Sequence, residues 1–165
     1  MTLRSLFSRF ATQLPPAELI WIGIRPARKA ELISLKSVNA CSGRGLEGDH
    51  RCMKTAGSAR QVTLISEEFI DQIALYARKD KISPALLRRN LVIRGLNLNA
   101  LRYQQFQIGD AIFEASALCH PCSRMDQVLG EGGAAAMLGF GGLCCKVIQS
   151  GEIHIGDQLQ LLYKS

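Results

Sequence analysis

Cys119-His120-Pro121-Cys122 places two thiols and an imidazole within four consecutive residues. Such a cluster can serve as a soft metal ligand, as a redox couple or as a carrier of sulfur. Each use makes its own demand on the rest of the chain. Structural zinc needs about four ligands, usually supplied by a second Cys-x-x-Cys or a His pair. The other close pair, Cys144-Cys145, lies in a segment that reads as a strand. Adjacent strand residues point to opposite faces, so these thiols are poorly placed to close one tetrahedral site. A thiol–disulfide oxidoreductase fits the local pattern better. A predicted strand over 112–117 leads into the motif and a predicted helix runs from Ser123 to Leu129. Both a helix N-terminus and a neighbouring His lower a thiol pKa. A thioredoxin-like fold, however, would carry the motif after its first strand, and here 118 residues of largely β pattern precede it. The third use needs one exposed thiolate, binding a high-valent metal or carrying a persulfide. Cys122 suits it better than Cys119, being nearer the predicted helix start and followed by Arg124. Cys41, Cys52, Cys144 and Cys145 read as small buried or incidental residues, as free cysteine usually is.

Around this motif the sequence offers groups that can hold an anion. Arg88-Arg89-Asn90 sits where a short helix hands over to a strand. Two guanidiniums beside an amide can grip a phosphate, and they equally suit a solvated helix end. Gly45-Leu46-Glu47-Gly48-Asp49-His50-Arg51 is a glycine-punctuated loop, either a backbone nest for an anion or an ordinary connection. Gly132-Gly133, Gly139 and Gly141-Gly142 permit close approach to a flat ligand, or turns at the corners of a barrel. The chain has no Gly-Lys-Ser/Thr run and hence no nucleotide P-loop.

The elements that would position these residues are mostly strands. Leu19–Ile24 and Glu31–Val38 are rich in branched residues, and a polar loop follows from Asn39 to Ala59. Gln61–Ile65 alternates polar and apolar residues. Ser66 has the character of an N-cap, with Glu67 and Glu68 where the helix dipole favours them. Phe69, Ile70, Ile73, Ala74 and Ala77 form the buried stripe of that helix, which should end near Lys79. Ser83-Pro84 opens a second short helix, and Leu91–Ile93 is a buried strand. Gly109-Asp110 and Gly156-Asp157 are twin turns leading into apolar runs, Ala111–Phe113 and Leu159–Leu162. Leu143–Ile148 and Glu152–Ile155 flank Ser150-Gly151, a hairpin signal. Runs of strands with few helices between them predict a mainly β fold, a barrel with inserted short helices.

Composition sets the outer limits. A chain of 165 residues, 47% apolar and 21% charged, is one globular domain. An aromatic content of 6% argues against an aromatic platform for nucleic acid. The net charge of +6 is concentrated in residues 1–30, which supply four of those charges. The remainder is too little for a polyanion-binding face, so no nucleic-acid partner is expected. No run approaches the roughly 18 apolar residues of a membrane span. Nothing at the N-terminus has the pattern of an export signal, so reduced thiols and a cytoplasmic location are expected. Leu3, Leu6, Phe7, Phe10 and Leu14 fall at helical spacing, making residues 1–18 an amphipathic segment docked on the domain of residues 19–165. The same face would also suit a second subunit in a homodimer.

Taken in order, the loop Gly45–Arg51, the strand Arg60–Ile65, the run Arg88–Ile93, the Cys119–Cys122 motif and the terminal Gly151–Asp157 resemble the MOSC domain. This module is found at the C-terminus of molybdenum-cofactor sulfurases and in stand-alone and amidoxime-reducing relatives. The resemblance covers roughly residues 31–163. It implies a mostly antiparallel β-barrel and a cysteine that handles molybdenum or its sulfur. In the family's Cys-x-x-Cys variant that role falls to the second cysteine, here Cys122. It also implies that Arg88, Arg89 and Asn90 hold the pterin phosphate of the molybdenum cofactor, with Asp49, His50, Arg60 and Arg124 in the same pocket. The implied activity is that of a molybdenum-dependent oxidoreductase, a reductase or reductase subunit for N-hydroxylated small molecules. The alternative is a non-catalytic carrier of sulfur or cofactor acting through a Cys122 persulfide. The iron–sulfur, flavin and pyridoxal-phosphate modules of some relatives are not seen in this sequence. A separate electron-donor protein or a pyridoxal-phosphate-dependent sulfur donor is therefore the implied partner.

Overall fold

The computed structural model describes residues 1–162; residues 163–165, the end of the expected domain, lie outside the described residues. The chain opens with a helix, α1 (Leu3–Ala11), and enters the sheet at β1 (Ala17–Ile24). Three short strands follow, β2 (Ile33–Leu35), β3 (Ser37–Cys41) and β4 (Gly45–Leu46), and then a 3-10 turn over His50–Met53. β5 (Val62–Ser66) runs directly into α2 (Glu67–Tyr76), and the chain returns through a 3-10 turn over Pro84–Leu87 to β6 (Leu91–Arg94). β7 (Gln105–Ile108) and β8 (Ala111–Leu118) form a hairpin around Gly109-Asp110. Two short helices, α3 (Arg124–Leu129) and α4 (Gly133–Met137), lead to β9 (Leu143–Gln149), β10 (Gly151–His154) and β11 (Gln158–Leu161).

Seven strands close a mixed barrel in the order β1-β11-β7-β8-β9-β5-β6, with β6 returning to β1. Each neighbouring pair is antiparallel except β5 and β6, which the α2 crossover makes parallel. Every residue of β5 is buried, as expected of a strand covered on both faces. Phe106 and Phe113 stack at 5.7 Å between ring centroids in the core, with Leu19, Ile22, Leu64, Leu91 and Ile93 fully buried around them.

The expected cap of α2 is present, the Ser66 hydroxyl accepting from the Phe69 amide at 3.1 Å. The helix stops at Tyr76, short of Lys79, because Arg78 takes a left-handed conformation at φ 56°. The Lys79 amide then bonds back to the Ala74 carbonyl at 2.9 Å. The single strand expected over Glu31–Val38 is two strands. β2 pairs with β1 of the barrel, and β3 pairs with β10 and β4 in a separate three-stranded sheet, so the chain changes sheets at Lys36.

Ser150-Gly151 is not a hairpin turn, since β10 leaves β9 and pairs with β3. Gly151 lies so close to the backbone of Asp110 and Ala111 that a Cβ would collide there. The chain therefore passes over the β7–β8 turn and off the barrel. α1 packs beside the turn before β7. The Phe7 ring meets Tyr103 edge-on at 5.7 Å, the Arg102 guanidinium lies 5.0 Å over Phe7, and Ala11 is fully buried.

Candidate functional site

Asp49 organises the polar residues where β1 ends and β6 begins. It is buried, at the start of the His50–Met53 turn, and its carboxylate accepts from two backbone amides, Arg51 at 3.0 Å and Arg25 at 2.9 Å. The Asn90 side chain donates a third bond at 3.1 Å. Asn90 is itself fully engaged. Its other amide hydrogen goes to the Gly23 carbonyl at 3.0 Å, and its oxygen accepts from the amide and hydroxyl of Thr63. One carboxylate and one carboxamide thus hold the backbones that present Arg25 and Arg51.

Three guanidiniums converge on the small cleft these residues enclose, which is lined by Arg25, Leu32, Asp49, Arg51, Arg88 and Asn90. Arg88 enters it from a left-handed backbone conformation, φ 60°, at the end of the Pro84–Leu87 turn. A non-glycine residue held there stores conformational energy, a feature that concentrates at functional sites. Arg51 Nη1 and Arg88 Nη2 are both buried without a hydrogen-bond partner. Burial and the neighbouring Arg88 lower the pKa of Arg25, and burial with Arg60 nearby lowers that of Arg51. Arg124 adds to the repulsion on Arg25. Positive charge is therefore packed around one carboxylate that is already bonded, an arrangement that an anion relieves. The cleft holds about 10 Å³, so an anion the size of phosphate must displace flexible arginine side chains as it enters.

The thiols fall into separate groups, and all six are unpaired. Cys122 is exposed, immediately before α3, and does not line the arginine cleft. Cys119 is buried beside Cys144 of β9, close enough for the two thiols to shift each other's ionisation. The Arg60 Nε donates to the Cys144 sulfur at 3.4 Å. The neighbouring Cys119 thiol, followed by Arg60, pulls the pKa of Cys144 down to about 5, whereas the proximity of Cys144 and burial push that of Cys119 well up. Cys122 also lies near enough to raise the pKa of Arg60. Among the described residues no group of three or more His, Cys, Asp and Glu side chains could hold a metal ion by itself.

The residues singled out in the sequence are thus divided by the fold. Arg88, Asp49 and Asn90 line the cleft, whereas Arg89 turns away from it and is buried. Its Nε donates to the Gly141 carbonyl and its Nη1 to the Leu87 carbonyl, both at 2.9 Å. Arg89 therefore pins the loop before β9. His50 is half-buried and His120 exposed, and neither lines the cleft. Sequence reasoning missed Arg25, Arg51 as a cleft residue in its own right, and Cys144. Arg25 directly follows a strand and Arg51 sits in the glycine-punctuated loop, but their convergence depends on Asp49. Nothing in the spacing of Cys144 pointed to Cys119.

The MOSC domain family model matches residues 51–160, most of the barrel together with Cys119, Cys122 and Cys144. The chain belongs to the MOSC domain family. Its fold is similar to that of the YuaD protein of Bacillus subtilis, with a TM-score of 0.80 at 20% identity, covering 91% of this chain and 98% of that one. YiiM of Geobacillus stearothermophilus aligns with a TM-score of 0.72 at 15% identity, covering 89% of this chain and 75% of that one. YiiM of Escherichia coli gives 0.66 at 19%, covering 90% and 71%. At these identities the likeness is one of fold. No curated protein matches the sequence. Among the described residues no helix is long and apolar enough to cross a membrane.

Proposed function

We propose that this MOSC protein binds a molybdenum–pterin cofactor, with the terminal phosphate on Arg25, Arg51 and Arg88 and the metal on the Cys122 thiolate. The observation that carries the reading is the pair of buried guanidinium nitrogens, Arg51 Nη1 and Arg88 Nη2, that lack a partner. A phosphate supplies several acceptor oxygens and the negative charge this cluster lacks. A soft thiolate is a fitting ligand for the metal, and Cys122 is an exposed one. When bound, the cofactor would supply two-electron oxygen-atom removal, and N-hydroxylated small molecules are the proposed substrates.

The chain's own residues orient and hold. Asp49 and Asn90 fix the backbones of Arg25 and Arg51, and Arg89 fixes the Gly141 loop next to Cys119. Electrons would come from a separate protein. Production in a cofactor-competent host, followed by metal analysis and pterin fluorescence, tests the proposal. It expects molybdenum and pterin in the native protein and loss of both in Cys122→Ser and in Arg51→Ala combined with Arg88→Ala.

The exposure of Cys122, outside the cleft, favours a second reading in which the protein carries sulfur as a Cys122 persulfide from a pyridoxal-phosphate-dependent donor. Protein free of molybdenum in that host, with added sulfur on Cys122, would support the carrier and sink the enzyme.

A further inference from the structure

The Cys119–Cys144 pair is not needed for either use of Cys122, yet its surroundings are specialised. Cys119 follows β8 and its amide bonds to the Gly142 carbonyl at 2.8 Å, while Cys144 lies opposite Ala117 on β9. The two cysteines are therefore diagonal neighbours on one face of an antiparallel pair. A local feature draws them closer. The register shift between Ala115 and Ala117 marks a bulge, which increases local twist and draws diagonal residues together. Arg60 lies against Cys144 with its Nε 3.4 Å from the sulfur, and both cysteines are buried, with 5% and 3% of their surface exposed.

We propose that Cys119 and Cys144 form a second chemical site, a buried dithiol that a small hydroperoxide converts to a disulfide. The asymmetry of the pair assigns the roles. Cys144, which accepts from the Arg60 Nε, is the attacking sulfur, and Cys119, which has no such cationic donor among the described residues, is the resolving one. In the first step the Cys144 thiolate attacks one oxygen of hydrogen peroxide. The O–O bond breaks, a sulfenic acid forms on Cys144, and hydroxide leaves to become water on taking up a proton. In the second step the Cys119 sulfur attacks the sulfenic sulfur. The S–O bond breaks and a second water departs with the Cys119 proton. Two thiols are oxidised by two electrons, and one peroxide is reduced to two waters. Burial selects the smallest oxidants, because larger disulfides cannot reach either sulfur. Closure also removes the thiolate that anchors Arg60, so the oxidation state of the pair would be transmitted to a residue near Cys122.

The test treats the Cys122→Ser protein with hydrogen peroxide and follows intact mass, with alkylation mapping of each cysteine. The expected result is loss of two hydrogen atoms, protection of Cys119 and Cys144 from alkylation, and recovery of both by a thiol reductant. Cys144→Ala should abolish the change. Cys119→Ala should leave Cys144 as a sulfenic acid that a 1,3-dione probe captures, a readout that a purely structural role for Cys119 would not produce. If both thiols stay alkylatable under peroxide, or if Cys144 passes to the sulfinic acid while Cys119 remains free, the proposal is overturned.

Discussion

The Asn90 side-chain amide donates to the Asp49 carboxylate across 3.1 Å, joining the start of β6 to the loop that carries Arg51. This bond lies at the centre of the arginine cleft. Asn90 also holds Gly23 and Thr63, and Asp49 also holds the amides of Arg25 and Arg51. Loss of either side chain would leave several buried polar groups without partners.

Asn90→Ala is therefore expected to lower stability by about 3 kcal/mol, since each unsatisfied buried group costs roughly 1–3 kcal/mol. Denaturant titration measures this. Asn90→Asp should be at least as harmful, because it sets a second carboxylate against Asp49, whose Oδ2 now accepts from Asn90 Nδ2. An Asn90→Ala protein as stable as the native one would remove Asn90 from this positioning role.

Arg88 and Arg89 are neighbours with opposite duties, and substitution should separate them. Arg88→Ala and Arg51→Ala should each weaken inorganic phosphate binding roughly tenfold or more, with little loss of stability, since each charge-assisted bond contributes about 1.5–3 kcal/mol. Arg89→Ala should instead lower the unfolding free energy by about 2 kcal/mol, because it frees the buried carbonyls of Gly141 and Leu87. Calorimetric phosphate titration paired with thermal unfolding distinguishes the two effects.

Stability should depend on pH through Cys144. Its pKa falls from the ordinary 9.0 to about 5 in the folded protein, so between those values the unfolded chain holds a proton that the folded one has released. Stability from this group rises with pH across that window, is complete above about 9 and is lost as pH falls through about 5. Cys119 acts oppositely: its pKa is raised, so its contribution is complete below 9.0 and is lost as pH climbs further. Unfolding measurements on native and Cys144→Ser proteins from acid to neutral pH, together with thiolate absorbance, should show the rise in the native protein alone.

Gly142 has a left-handed backbone, φ 87°, and a Cβ there would collide with the Leu64 carbonyl. Gly142→Ala should therefore cost about 3 kcal/mol or more and disturb the β5–β9 pairing, as backbone strain and overpacking combine. Gly139→Ala provides the contrast. That glycine also has positive φ, 85°, but nothing lies within 4 Å of its Cβ position, so only the conformational cost of about 1 kcal/mol should appear.

Local signals in the chain were enough to specify most elements of the barrel. The Ser66 cap with its two glutamates, the buried Leu91–Ile93 strand and the Gly109-Asp110 turn are each set by contacts within a few residues, and each is present. The order of motifs was enough to indicate the family. The Ser150-Gly151 turn and the Glu31–Val38 segment misled because strand propensity says nothing about which partner a strand meets. In both places the chain leaves one sheet for another.

The candidate site divides in the same way. Sequence by itself placed Cys122 shortly before a short helix and Arg88 at the end of a turn, since adjacent residues set both. Only the tertiary structure decided that Arg25 and Arg51 join Arg88 around Asp49 while Arg89 turns inward to Gly141. It also decided that Cys144 meets Cys119 and Arg60 rather than lying idle in a strand. The physical reason is that charge repulsion, desolvation and thiol pairing act through space at a few ångströms. Barrel closure sets those distances between residues that are tens of positions apart in the chain.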